Sequence, residues 1–288
     1  MNGLKRKDSI NTSESIVDIK SSLKMYYATS FPFDTIFNWL SCGDFSRREM
    51  CYTLLENENE IYIRYKSWPS AEEFASEIRS LCPIKLDIGA TYPCAPSERE
   101  TIGALFKPQT KELVFDIDIT DYDNVRSCCK STNMCKTCWP LITTAIKVVD
   151  RLLRQCFGFF QLLWIYSGRR GVHCWVSDAR ARLLSQKSRA AVLDYLISVG
   201  KGGPDFESIR AFLSDRPYPR FDNGVTLGFG HLLKCPFVVH PKTGRICVPI
   251  DPSKCDDFDP FLSPMIHSDP SELIPYLEFF GSYVKETI

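Results

Sequence analysis

The chain has 288 residues, 44% of them hydrophobic, with 35 basic and 35 acidic side chains and a formal net charge of zero. This length admits one large domain or two smaller ones, each able to bury a core, and the balanced charge creates no overall field for a polyanion. No run of about 18 apolar residues and no charged-then-apolar leader occurs, so neither a membrane span nor a signal peptide is expected. Thirteen cysteines without such a leader point to reduced thiols and, where they cluster, to metal ligation rather than disulfides.

In chain order, residues 1–20 are polar and rich in Ser and Asn, which predicts a flexible tail in which Lys5-Arg6-Lys7 is a nuclear-import candidate. Apolar residues from Met25 to Leu40 recur at helical spacing, and Ser46 with Glu49 suggests a capping box opening another short helix. The stretches 60–68, 85–92, 112–120, 159–167 and 171–178 read as strands from their β-branched and aromatic content and their alternation. Residues 138–157 and 188–199 carry apolar side chains at three- and four-residue steps and predict helices, the second ending at Gly200, Gly202 and Gly203. Pro241-Lys242-Thr243-Gly244 marks a turn, so 235–250 is expected to be a hairpin, and a last helix is expected near Pro275. Strands and helices without a regular βαβ rhythm predict an α+β domain on a largely antiparallel or mixed sheet.

Three clusters carry chemistry. In the strand around 112–120, Asp116 and Asp118 share a face, and paired carboxylates at that spacing suit a divalent cation; taken alone, the pattern more often marks a solvated acidic face on an edge strand. Asp222 in Asp-Asn-Gly offers a third carboxylate, or simply a turn. Ser167-Gly168-Arg169-Arg170-Gly171, with His173 just after it, suits phosphate capture or, taken alone, an ordinary basic hairpin tip, and His231, Lys234, His240, Lys242 and Arg245 add a second basic cluster. Tyr62, Arg64 and Lys66 are expected on one polar face of their strand. Finally, Cys128, Cys129, Cys135 and Cys138 place four thiols within eleven residues, which predicts a tetrahedral structural zinc site.

Taken together and in this order, VFDIDITDYD, the cysteine cluster, YSGRRGVHCWV and HLLKCPFVVHPKTGRICVPID closely resemble the small subunit of archaeal and eukaryotic DNA primases, over about 26–260. The resemblance implies a primase (prim) fold, with a mixed or antiparallel sheet flanked by helices, in a catalytic domain over 21–288. It implies a zinc module over about 121–140 and a reduced helical insertion over about 197–218, where eukaryotic members usually carry a longer one. It implies polymerisation of ribonucleoside triphosphates on a single-stranded DNA template, with Mg2+ or Mn2+ held by Asp116, Asp118 and Asp222 and with Glu49 in the catalytic set. Arg64, Ser167, Arg169, Arg170, His173, His231, Lys234 and His240 are then nucleotide contacts, and Zn2+ is structural. The implied partners are an iron–sulfur large primase subunit and the DNA polymerase alpha complex, in the nucleus. A repair or translesion primase-polymerase and an inactive replication scaffold are the alternatives. Gly230 departs from the asparagine usual in the family.

Overall fold

In the computed structural model, which describes residues 12–41, 45–57 and 59–287 (12–19 as backbone only), two four-stranded sheets are wrapped by helices. Helices α1 (Thr12–Thr29) and α2 (Phe33–Leu40) come first, and α2 turns Phe33, Ile36, Trp39 and Leu40 inward at the steps of an amphipathic helix. Helix α1 thus begins inside the stretch expected to be a tail, while Lys5-Arg6-Lys7 lies outside the described residues. The expected capping box at Ser46 and Glu49 opens no helix. A 3-10 turn, Phe45–Arg47, leads into strand β1 (Arg48–Glu56), whose residues 48–53 are all buried and so lack the one-sided pattern of an amphipathic helix.

Strand β2 (Asn59–Lys66), helix α3 (Ala71–Leu81) and strand β3 (Lys85–Thr91) follow. Helix α3 starts at Ser70, whose hydroxyl accepts from the Glu73 N–H at 3.2 Å. Next come α4 (Arg99–Ile102), β4 (Leu113–Asp118), α5 (Trp139–Phe157), β5 (Leu162–Tyr166) and β6 (Gly171–Val176). The chain ends with α6 (Ala179–Arg182), α7 (Gln186–Val199), α8 (Phe206–Leu213), α9 (Asn223–Leu227), β7 (Leu233–Lys234), β8 (Pro249–Ile250) and α10 (Ile274–Thr287). One sheet has the order β2-β1-β3-β7 and the other β4-β6-β5-β8, with every ladder antiparallel. The α+β class read from the sequence is the one observed. Among the described residues no helix is long and apolar enough to cross a membrane.

One local expectation holds and another changes. The 235–250 segment keeps its turn, with a Val239–Ile246 bridge and a 2.8 Å bond from His240 N–H to the Arg245 carbonyl. The expected hairpin is there, for Phe237 N–H donates to the Cys247 carbonyl at 2.7 Å and Cys247 N–H to the Val238 carbonyl at 3.0 Å, and only its flanks diverge: β7, just before the segment, joins β3 in the first sheet and β8, at its end, joins β5 in the second. In β2 the register slips between Met50–Lys66 and Tyr52–Ile63, with Tyr65 at φ 61°. This bulge places Lys66 opposite Met50, where it pairs with Glu77 at 2.8 Å, so Tyr62, Arg64 and Lys66 do not share one face.

The sheets meet along a seam that is both apolar and ionic. Trp39 of α2 packs edge-on against Trp175 of β6 (5.4 Å) and Phe280 of α10 (5.7 Å) and donates its indole N–H to Ser177 Oγ at 3.1 Å. Arg48 of β1 makes a two-pronged bond to Glu112, just before β4, at 2.7 and 2.9 Å, with both side chains buried. These contacts fix β4 relative to β3 and β7, and the functional residues stand between them.

Candidate active site

Strands β4 and β6 pair Asp116 opposite His173 and Asp118 opposite Gly171. Period-two geometry puts the two aspartates on one face, and both remain partly exposed while Phe115 and Ile117 are sealed in the core. Asp222 arrives from the turn before α9, its backbone N–H donating to the Asp116 carbonyl at 3.1 Å. Its Oδ1 accepts from the N–H groups of Gly224 (2.8 Å) and Val225 (3.4 Å), so Asp222 caps a short helix and stands beside the pair at the same time. With Thr120, Asp121 and Arg170, the three aspartates line a cavity of about 500 Å³. Burial first, and then the neighbouring Asp118 and Asp222 charges, push the Asp116 carboxyl up to about 7. Crowded hard-oxygen donors in a polar cavity fit a divalent cation, which removes that repulsion when bound.

A basic half adjoins the acidic one. Arg170 Nε lies 2.7 Å from each carboxylate oxygen of Asp118. Gly168, at φ 80°, lets the 167–170 loop press against the 240–244 turn, for a Cβ there would come within 2.7 Å of His240 Cβ. Thr243 Oγ1 locks the contact by donating to the Gly168 carbonyl at 2.6 Å, and Lys234 Nζ reaches the Ser167 carbonyl at 3.3 Å across the two sheets. Burial pushes the His240 imidazole down to about 3, aided by the nearby charges of Lys234, Arg169 and Arg170. His173 is likewise pushed down to about 3, first by burial and then by Lys234. Both rings are neutral at pH 7. His173 Nε2 stands 3.7 Å from Asp116 Oδ1, and its buried Nδ1 has no partner among the described residues.

Glu49 and Arg64 form a separate unit. Fully buried Glu49 accepts from Arg64 Nε at 2.8 Å, Arg64 Nη2 at 3.2 Å and the Tyr92 hydroxyl at 3.2 Å, and it is not among the residues lining the acidic cavity. Arg64 also lies over the Tyr65 ring at 5.0 Å. His231 is held through its carbonyl by Lys111 Nζ at 2.6 Å, and burial with the Lys111 charge draws its ring pKa down against the pull of Asp222.

Four residues escaped the sequence reading. Asp121 lines the acidic cavity, and Lys111 donates to the carbonyls of both Gly228 and His231. Asp87 on β3 pairs in register with Lys234 on β7, and burial pushes its carboxyl up to about 6. Alternation in Lys85-Leu86-Asp87-Ile88-Gly89 is the signal that could have found it. Arg126 is buried among the clustered cysteines, with no local signal to mark it.

A family model for the DNA primase small subunit matches residues 115–252, the span that holds the aspartates of β4, the cysteines, the arginine loop and the second basic cluster. The DNA primase small subunit of Schizosaccharomyces pombe is 33% identical, covering 86% of this chain and 76% of its own length. That of Drosophila melanogaster is 32% identical, covering 93% and 84%. The chain belongs to the DNA primase small-subunit family. It is accordingly a nucleotidyltransferase of DNA replication. The alignment to the fission-yeast relative runs over 350 positions although it covers 86% of these 288 residues, so the relative carries sequence that this family member lacks. The polymerase domain of Mycobacterium tuberculosis ligase D, solved in complex with DNA, shares the fold at TM-score 0.56 and 13% identity, covering 96% of this chain and 99% of that one.

In this primase-family chain the cysteines form a second candidate metal centre. Cys128, Cys129, Cys135 and Cys138 bring their sulfurs within 4.8 Å of one another. The separations from Cys129 are 3.8 Å to Cys128, 3.9 Å to Cys135 and 3.6 Å to Cys138. Sulfurs at tetrahedral corners about 2.3 Å from zinc would stand about 3.8 Å apart, so the cluster fits that ion. Without a metal the thiols divide: the Cys138 backbone N–H leads in drawing the Cys135 thiol down to about 6, whereas burial leads in pushing the Cys128 and Cys129 thiols up.

Proposed function

We propose that this chain is the catalytic subunit that strings ribonucleotides into a primer on single-stranded DNA, by attack of a 3′-hydroxyl on the α-phosphorus of a nucleoside triphosphate with loss of pyrophosphate. The observation that carries this reading is the pairing of halves: three aspartates around one cavity, with Arg169, Arg170, Lys234 and His240 gathered beside it. Asp116, Asp118 and Asp222 would hold Mg2+ or Mn2+, which supplies charge neutralisation at the attacking and leaving oxygens. Arg170 spends its Nε on Asp118, which leaves the terminal nitrogens of its fork for phosphate oxygens at the boundary of the two halves. Arg169, Lys234 and Ser167 take the rest of the triphosphate. Neutral His173 and His240 donate or accept hydrogen bonds there without adding charge. Glu49 acts through Arg64, holding its guanidinium ready for the nucleotide, while His231 meets the substrate from the Asp222 side.

The same reading makes residues 21–288 one catalytic domain, with a zinc module near 121–140 and a short insertion near 197–218. Zn2+ on the four cysteines is structural. An iron–sulfur large subunit and, through it, DNA polymerase alpha in the nucleus are the proposed partners, because the chain itself has no net positive charge with which to grip a template. Primer synthesis on poly-dT with ATP and Mg2+ or Mn2+, by the chain together with a large subunit, tests the proposal. Asp116→Ala and Asp118→Ala should each lower synthesis by at least about a hundredfold while the protein stays folded. Full activity in either variant refutes the metal assignment.

A further inference from the structure

The cysteine knot contains a charged group that its spacing does not announce. Arg126, downstream of β4, is only 5% exposed, a rare setting for an arginine without dedicated partners. Its Nε donates to Asp123 Oδ1 at 2.6 Å, and Nη2 reaches the Ser131 carbonyl and Asp123 Oδ1, both at 2.5 Å. Nη1 donates to the Asn133 carbonyl at 2.6 Å and faces Cys129 Sγ at 3.4 Å and Cys138 Sγ at 3.9 Å. Asp123 in turn accepts the Ser131 N–H at 2.8 Å, so one side chain ties the whole 123–138 loop together.

Four thiolates around a dication leave a net negative charge, and a partly desolvated charge is costly unless a counter-charge or donor faces it. Hydrogen bonds to ligand atoms orient them and tune how strongly they hold a metal. We propose that Arg126 is the charge partner of the cysteine knot: by donating to the Cys129 and Cys138 sulfurs it sets how firmly the knot retains a thiophilic dication. Arg126 is therefore a positioning residue for the metal and more than a crosslink of the loop. This rests on reading the four cysteines as a zinc site.

The test uses the full chain as wild type, Arg126→Met and Arg126→Lys. Zinc content is measured by elemental analysis, release by transfer to a chromophoric chelator, and the thiolate-to-metal charge-transfer band after loading with Co2+. Arg126→Met should release zinc about 10–100-fold faster, with Arg126→Lys in between, and the band should move to lower energy as the N–H donors are lost. Faster release with an unmoved band means that Arg126 only braces the loop, which overturns the proposal. Unchanged release overturns it too while leaving the zinc reading intact. Absence of zinc from wild-type protein purified without chelator overturns both. If Arg126→Met does not fold, Arg126→Lys decides alone, since a single ammonium cannot reproduce the guanidinium fork across both sulfurs: an unmoved band and unchanged release refute the role.

Discussion

Lys111 is only 1% exposed, and its Nζ donates to the Gly228 and His231 carbonyls at 3.1 and 2.6 Å, pinning the loop that leads from α9 to β7. Burial pushes its pKa down to about 8, with the charges of Arg189 and Arg48 acting the same way. An unfolded lysine binds its proton up to about 10.4, so between about 8 and 10.4 the unfolded chain holds more protons than the folded one. In that window the lysine's contribution to stability rises with pH, and it falls as pH drops towards 8. Denaturant midpoints of wild type and Lys111→Met should therefore separate further, in favour of wild type, as pH climbs from 8 to 10, by about 2–3 kcal/mol. A parallel pair of profiles would show that Lys111 does not titrate there. At pH 7 the variant should still lose about 1–3 kcal/mol, because two buried carbonyls lose their donor.

At the scale of elements, the arginine loop owes its position to two glycines. A Cβ on Gly171 would meet the Ile117 carbonyl oxygen at 2.3 Å, so β6 can lie against β4 there only without a side chain. Gly171→Ala should cost about 1–3 kcal/mol in chemical denaturation, and it should raise the nucleotide KM because Arg169 and Arg170 move with the strand end. Gly230 is the contrast: nothing lies within 4 Å of its added Cβ, so Gly230→Asn should stay within about 0.5 kcal/mol of wild type. A stable Gly171→Ala would mean that the strand end is free to shift. The fate of the 235–250 segment is also an element-scale result. Its turn and paired arms were legible locally, but which sheet edge each end of the hairpin meets was not.

For the whole molecule, the Arg48–Glu112 pair is the ionic tie between the two sheets. Removing one partner strands a charge in the core, so Glu112→Gln should destabilise by about 3–5 kcal/mol. The double variant Arg48→Met with Glu112→Leu should recover much of that loss, since well-packed apolar groups replace a desolvated pair. Denaturant unfolding of Arg48→Met, Glu112→Leu and the double variant gives the coupling. A Glu112→Gln protein as stable as wild type would show that the seam rests on Trp39, Trp175 and Phe280 alone.

The sequence by itself determined the α+β class, the strands that carry Asp116, Asp118 and His173, and the grouping of the four cysteines. Each of these depends on period-two alternation or on a loop of a few residues, and so on forces that act between near neighbours. Element boundaries were less legible at 45–56, where a strand buried on both faces over 48–53 has no alternation to distinguish it. The bulge at Tyr65 was hidden as well, because a left-handed tyrosine carries no sequence mark. Only the tertiary structure decided that Asp222 stands beside Asp116, that Lys234 crosses to the Ser167 loop, that Glu49 closes on Arg64 and that Arg126 faces the thiols. The first two contacts are set by how the two sheets and their helices bury a common core, and no local pattern encodes such distances; the Glu49–Arg64 contact follows from the bulged register of β1 on β2, and the Arg126 contact from the path of a single loop.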